Sequence, residues 1–389
     1  MENIKIKLKL YGIYLLMYGG VASYSPFLPV YLKEKELSYS RIGIILASIA
    51  IVAVFFQPLW GFLTDRYFGK IKTLSILILV SSPTILILSF AKGFYTIIFV
   101  VIVFAMFQSP ILSICDAFSY EIIEKNKGME YGKIRLQGSV GYAVVALFMG
   151  SIILRFGISV IFYLYFIFSI LAIFLIRSFK YDRRTSYSKI DITDMIKILK
   201  DKRFILLLFS VLLLNIAISV NASYVSLVII ATGGNVSSLG VVWFVIAISE
   251  LPSFFLGNKI LSKVGILNLY LISFLLFTIR FLLISFSKNY NSVILFEAMQ
   301  SITFPFYLMA AFAYINKLIL PKMRTSIMAL FSAFAGLGSF IGNLSGGIIL
   351  EHISIFYLFR IITVVAFIGF VLTLILKVAD KRYNINIKV

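Results

Sequence analysis

Gly61-Phe62-Leu63-Thr64-Asp65-Arg66-Tyr67-Phe68-Gly69-Lys70 joins the second and third of about twelve long apolar runs in this chain. A glycine such as Gly61 at the end of a span lets another helix come close. Asp65 followed by Arg66 and Lys70 supplies charge where spans leave the membrane. A charged latch at that address has a use only if helices move against one another, so the stretch points to transport.

The 389 residues are 61% hydrophobic and 13% charged, with a mean hydropathy of +1.03. That leaves too little polar surface to cover a soluble globule of this length. The apolar runs are about 20 to 28 residues long, enough at ~1.5 Å per residue to cross a ~30 Å hydrocarbon core. Barrel strands would alternate over ~10 residues, and these runs do not alternate. The reading is an all-α membrane protein with spans at roughly 10–32, 39–63, 70–91, 93–121, 134–155, 157–179, 203–231, 238–258, 264–287, 291–319, 323–350 and 353–377. A polar interruption at 180–202 divides it into an N-terminal half, 1–179, and a C-terminal half, 203–389, of six helices each. Within that linker Asp191 to Lys200 reads as a capped amphipathic stretch on the membrane surface.

An even number of spans puts both termini on one side. Lys5, Lys7, Lys9, Arg66, Lys70, Lys72, Lys125, Lys127, Lys133 and the basic linker fall there, against Lys33, Lys35, Arg41, Lys92, Arg155 and Lys288 opposite. The excess predicts cytoplasmic termini in a multi-pass cytoplasmic-membrane protein. The net charge of +20 is thereby assigned to anionic lipid headgroups and not to nucleic acid. The basic N-terminus and first apolar run read as an uncleaved helix. Cys115 is the only cysteine and His352 the only histidine, so neither an intrachain disulfide nor a His-based metal site is expected, and no cofactor is implied.

Ionisable groups at membrane depth are costly and mark function. In the fourth span Ser109, Ser113, Asp116 and Tyr120 recur at helical spacing as one polar stripe facing a cavity, with Glu121 assigned to the interface. Arg135, opening the fifth span, is the expected counter-charge of Asp116, as a substrate clamp or a structural bridge. Tyr142 either stacks on a substrate ring or packs as a core aromatic, whereas Gly138, Gly141 and Gly150 suit helix packing. In the second half Glu250 stands at mid-span with Trp243 two turns before it and Phe254 one turn after. Arg280, Glu297 and Gln300 complete the set. Arg280 can neutralise one of Glu250 and Glu297 but not both, which leaves a surplus acid suited to carry a proton. Asn215, Ser219, Ser223 and Ser226 either line the cavity or cross-link helices.

The 61–70 segment resembles the signature loop of the major facilitator superfamily, with one residue extra because both Tyr67 and Phe68 separate Arg66 from Gly69. Gly257 to Gly265 is a weak echo of it in the second half, as expected of a repeat-built transporter. Ala22-Ser23-Tyr24-Ser25-Pro26 to Leu32, Phe56-Gln57-Pro58-Leu59-Trp60-Gly61, Asp116-Ala117-Phe118 and Tyr131 to Tyr142 resemble the lactose permease group of that superfamily. Ser249-Glu250-Leu251, Arg280, Gln300 and Tyr314-Ile315 resemble its phenylpropionate permease-like branch. The resemblance implies a monomeric major facilitator fold and proton-coupled import, by alternating access, of a small polar solute: a sugar, nucleoside or aromatic acid. It further implies that Asp116 and Arg135 bind substrate, that Tyr142 replaces a sugar-stacking tryptophan, and that Arg280 belongs to the coupling network. Gln300 and Thr303 stand where that group has a histidine and a glutamate, which argues against galactosides and leaves Glu250, Glu297 or Asp116 to carry the proton. Gly61, Asp65, Arg66 and Gly69 are the gating residues. A drug or metabolite exporter is the alternative, weakened because Gly138-Ser139-Val140-Gly141 lacks the proline of many antiporters. A non-transporting receptor or scaffold is a more distant one. An enzyme is not expected, since no nucleophile and base appear together.

Overall fold

The computed structural model describes residues 2–126, 129–179, 200–319 and 324–386. Up to residue 199 the expected linker, with its amphipathic stretch, lies outside them. The N-terminal half comprises α1 (Glu2–Tyr24), α2 (Leu28–Glu34), α3 (Tyr39–Leu63), α4 (Lys70–Ile87), α5 (Phe94–Gln108), α6 (Ile111–Lys125), α7 (Tyr131–Phe156) and α8 (Val160–Arg177). The C-terminal half comprises α9 (Lys202–Ala231), α10 (Val236–Val264), α11 (Ile266–Ser285), α12 (Tyr290–Glu297), α13 (Gln300–Leu318), α14 (Arg324–Leu350) and α15 (Ile355–Asn386). Among the described residues 11 helical stretches are long and apolar enough to cross a membrane. α1 opens on Lys5, Lys7 and Lys9 and is not among them, yet it packs along α7 and α8 and with α2 makes the twelfth pass.

Three expected spans are interrupted. The first breaks at Ser25-Pro26-Phe27, where proline cannot donate into the helix, and α2 restarts with Pro29 in its first turn, where no donor is needed. The fourth kinks at Ser109-Pro110, where Gln57 Nε2 donates to the freed carbonyl of Ser109 at 3.1 Å. The tenth kinks at Ala298-Met299, without a proline. Spans four and ten occupy corresponding places in the two halves, so the kinks repeat as the halves do.

The segment read as a signature loop is no open loop. Thr64–Phe68 continues α3 as a π-helical turn, closed by a hydrogen bond from Gly69 N to Thr64 O of 2.8 Å. A π turn takes up one residue more than an α turn, so the extra residue before Gly69 is wound into the helix. Gly69 then reverses the chain at φ +75°, and Gly265 does the same at φ +84° between α10 and α11. Gly61 does not serve a close helix approach here, for no atom lies within 4 Å of where a Cβ would stand.

Two seams join the halves, α3 against α14 and α7 against α10. A Cβ on Gly43 would lie 2.7 Å from Asn343 O and 2.8 Å from the Gly347 Cα, so backbone touches backbone. In the other seam a Cβ on Gly150 would lie 2.5 Å from the Ser237 Cα, and one on Gly240 2.5 Å from Ala146 O. These approaches lie toward the membrane face opposite the chain termini. Toward the terminal face, Gly61 on α3 and Gly132 on α7 have open space around them.

Replacing Gly69 or Gly265 by alanine places a side chain at positive φ, at a cost of about 1 kcal/mol each. Thermal unfolding of the purified variants is expected to shift downward for both. An unchanged midpoint would show that these turns relax to another conformation.

Candidate functional site

Arg280 on α11 and Glu297 at the end of α12 are 1% and 0% exposed, and they form an ion pair through Arg280 Nη2. A lone charge at this depth would cost several kcal/mol, so each holds the other in place. The kink at Ala298-Met299 puts Glu297 on one helix and Gln300 on the next, and both reach the same guanidinium. Arg280 Nη1 donates to Gln300 Oε1 and, at 3.2 Å, to Thr303 Oγ1. With its carbonyl turned to Arg280, Gln300 must present its NH2 elsewhere, and Nε2 donates to Glu250 Oε1 on α10 at 2.8 Å. Glu250, Gln300, Arg280 and Glu297 thus form one chain of contacts over three spans. Glu297 takes the full countercharge. Glu250 has a neutral amide as its hydrogen-bond partner and forms no ion pair among the described residues.

The N-terminal half disposes of its charges differently. The expected Asp116–Arg135 bridge is absent among the described residues. Tyr14 and Tyr18, one turn apart on α1, take one partner each. The Tyr14 hydroxyl donates to Asp116 Oδ1 at 2.6 Å, and the Arg135 guanidinium lies over the Tyr18 ring at 4.1 Å. A hydroxyl and a ring face satisfy the acid and the base separately, so neither needs the other. Tyr120 and Tyr131 stack at 4.2 Å beside this pair. The polar stripe of the fourth span is also divided, because the Pro110 kink leaves Ser109 capping the end of α5 while Ser113, Asp116 and Tyr120 belong to α6.

Between the two clusters, Tyr142 on α7 meets Trp243 on α10 edge to face at 6.4 Å, and the buried indole N–H of Trp243 has no partner. Trp243 stands two turns before Glu250 on the same helix. The sequence reading treated it only as a neighbour of Glu250. Its being one of two tryptophans in an aromatic-rich chain was the available signal. Tyr14 and Tyr18 were missed because tyrosines four apart read as ordinary core. In the seventh span Asn215 donates to the Tyr307 hydroxyl at 3.1 Å and Ser223 to Asn343 Oδ1 at 2.7 Å, so these two polar residues cross-link helices.

At the terminal face Lys70 bridges to Glu121 on α6 at 2.6 Å, with 8% and 13% of the side chains exposed. The bridge ties the π-turn segment to the kinked span. Arg66 is exposed and lies over the rings of Phe62 and Tyr67. Among the described residues no three His, Cys, Asp or Glu side chains cluster as metal ligands.

Residues 7–361 match the MFS_1 like family. The chain belongs to that family. It is 29% identical to an uncharacterized transporter, YwbF, of Bacillus subtilis strain 168, over 98% of this chain and 97% of that one. It is 27% identical to a maltose permease of Geobacillus stearothermophilus over 95% and 94% of the two chains. The crystal structure of the nucleoside transporter NupG superposes with a TM-score of 0.82 at 18% identity, covering 96% of this chain and 99% of that one, and so shares the fold. This MFS_1-like protein is a multi-pass membrane transporter with the major facilitator fold, and not an enzyme.

The unequal partners of the two carboxylates predict unequal stability effects. Glu297→Gln leaves Arg280 buried without its countercharge and is expected to cost about 3–5 kcal/mol, whereas Glu250→Gln removes no ion pair and is expected to cost under about 1 kcal/mol. Thermal unfolding in detergent compares them directly. Equal losses would mean that Glu250 shares the Arg280 charge.

Proposed function

We propose that this transporter carries a small polar organic solute of the sugar, nucleoside or aromatic-acid class across the cytoplasmic membrane together with a proton, by alternating access, as a monomer with cytoplasmic termini. Lipid headgroups face its basic loops, nucleic acid is not a partner, and 180–202 links the two halves. The observation that carries the reading is Glu250, the one carboxylate of the mid-membrane chain whose hydrogen-bond partner is a neutral amide. Solute sits between the halves. Asp116, Arg135 and Tyr142 contact it from the N-terminal half, while Gln300 and Glu250 contact it from the other, and the aromatic rings cover an apolar ring face. A proton arriving from one face of the membrane binds a Glu250 oxygen, removing the charge that resists burial when the halves close over the site. It leaves to the other face once the site has turned. The Arg280–Glu297 pair stays internally neutral and serves as the fixed frame. Gly61, Asp65, Arg66 and Gly69 belong to the gate at the terminal face.

The relatives support the solute class, since the names of the matched proteins include maltose and nucleosides. Purified protein in liposomes with an internal pH dye, challenged in turn with maltose, uridine and 3-phenylpropionate, tests solute and proton together. Solute-dependent acidification is expected with one class and should vanish in Glu250→Gln, while exchange of labelled solute persists. Coupled uptake at wild-type rate by that variant would exclude Glu250 as the carrier. Asp65→Asn is expected to slow turnover several-fold with solute affinity unchanged. The reverse, altered affinity at unaltered rate, would move Asp65 from the gate to the binding site.

A further inference from the structure

The α3–α14 seam ends, on the face away from the chain termini, in a contact between the two halves that neither solute nor proton binding requires. Glu351 follows directly on α14 and lies outside the spans. Its Oε1 accepts the backbone N–H of Ser40, in the first turn of α3, at 2.7 Å. The first turn of a helix leaves its N–H groups without partners inside the helix. The local cap of α3, Ser38, accepts only the Arg41 N–H, at a long 3.4 Å. A carboxylate from the opposite half therefore supplies what the local cap does not, at the end of the helix that favours negative charge. Deeper in the same seam the halves meet through Gly43 against Gly347, and the Asn343 amide donates to Leu46 O at 3.5 Å. These contacts are neutral. Glu351 is the one charged residue among the described contacts of this seam.

We propose that Glu351 is the latch of the gate opposite the termini: its carboxylate caps α3 across the two halves and holds that face shut, and the gate opens when the cap is lost. The proposal rests on the alternating-access reading above but not on the identity of the solute or of the proton carrier. Few groups compete for Glu351. Lys33, on α2, lies over the Tyr39 ring at 4.0 Å and adds a favourable charge. Arg41 is turned to the Phe94 ring, and His352 stands exposed in the same turn. The hydrogen bond from Ser40 holds the Glu351 carboxyl below its ordinary value against a smaller opposing effect of burial, and the Ser38 and Ser40 hydroxyls and Lys33 act in the same direction as that bond. The sign follows from linkage. A carboxyl with a lower value in the shut state stabilises that state above the ordinary carboxylate range. The contribution fades as pH falls through the lowered value. At neutral pH the latch is fully engaged, and acid releases it.

The test needs no solute. Spin labels at Lys92→Cys and Lys288→Cys, both exposed and between spans on that face, report the separation of the halves in a Cys115→Ala background. In lipid nanodiscs at pH 7 the wild type is expected to show mainly the short distance and to gain a longer one at pH 4. Glu351→Gln is expected to hold about fivefold more of the longer distance already at pH 7, and to change less than wild type between the two pH values. Ser40→Pro, which deletes the donor within the first turn of α3, should reproduce this without touching the acid. Two distance populations that Glu351→Gln and Ser40→Pro leave at wild-type proportions would overturn the latch alone. A single distance in every variant at both pH values would overturn the latch together with alternating access.

Discussion

A guanidinium at membrane depth has to be neutralised where it stands, and the C-terminal half is arranged around that requirement for Arg280. Its side chain is 1% exposed, so water cannot solvate the charge, and Glu297 is the acid that meets it. Glu297, Gln300 and Thr303 stand three residues apart, a spacing that keeps successive positions on one side of a helix, and all three meet the same guanidinium. The kink at Ala298-Met299 ends one helix after Glu297 and starts another at Gln300. Once Arg280 is spoken for, Gln300 has a fixed orientation, and the group it offers to Glu250 is a donor and not a charge. Under the proposed function, Glu250 is then the carboxylate left to exchange a proton.

The two halves solve the same electrostatic problem with different chemistry. In the C-terminal half opposite charges pair directly. In the N-terminal half Asp116 and Arg135 are each served by a tyrosine of α1, through a hydroxyl in one case and a ring face in the other. A direct ion pair would consume both oxygens or both guanidinium edges. The tyrosine contacts leave both groups without an opposite charge among the described residues. That difference suits one half to hold a fixed neutral frame and the other to meet a polar solute.

Much of this was readable from the sequence, for reasons that also mark where reading stopped. Span positions and the short roster of intramembrane charges follow from hydropathy, because lipid punishes error in those features heavily. The choice between Glu250 and Glu297 for Arg280 depends on how three spans pack, which the roster of charges does not encode. The expected Asp116–Arg135 bridge failed because opposite charges close in sequence do look like partners, whereas two tyrosines a turn apart on another span carry no charge signal. Similarly, the extra residue before Gly69 was visible as a count, but its absorption into a π turn is a property of backbone winding that residue identity does not encode. Gly61 matches its motif, yet among the described residues no atom of another helix lies within 4 Å of where its Cβ would stand.

The contact of Tyr142 with Trp243 sits where the two themes meet. It is the innermost of the described contacts in the α7–α10 seam, after Gly150 with Ser237 and Gly240 with Ala146, and its tryptophan shares a helix face with Glu250 two turns away. A ring inserted beside Tyr142 must displace or stack upon the same pair that closes the seam, and the indole N–H without a protein partner is available to it. Under the proposed function, occupation of the site and opening of the seam would act on one set of atoms. Coupling in this fold needs no long pathway of intermediaries, because the seam ends where the site begins.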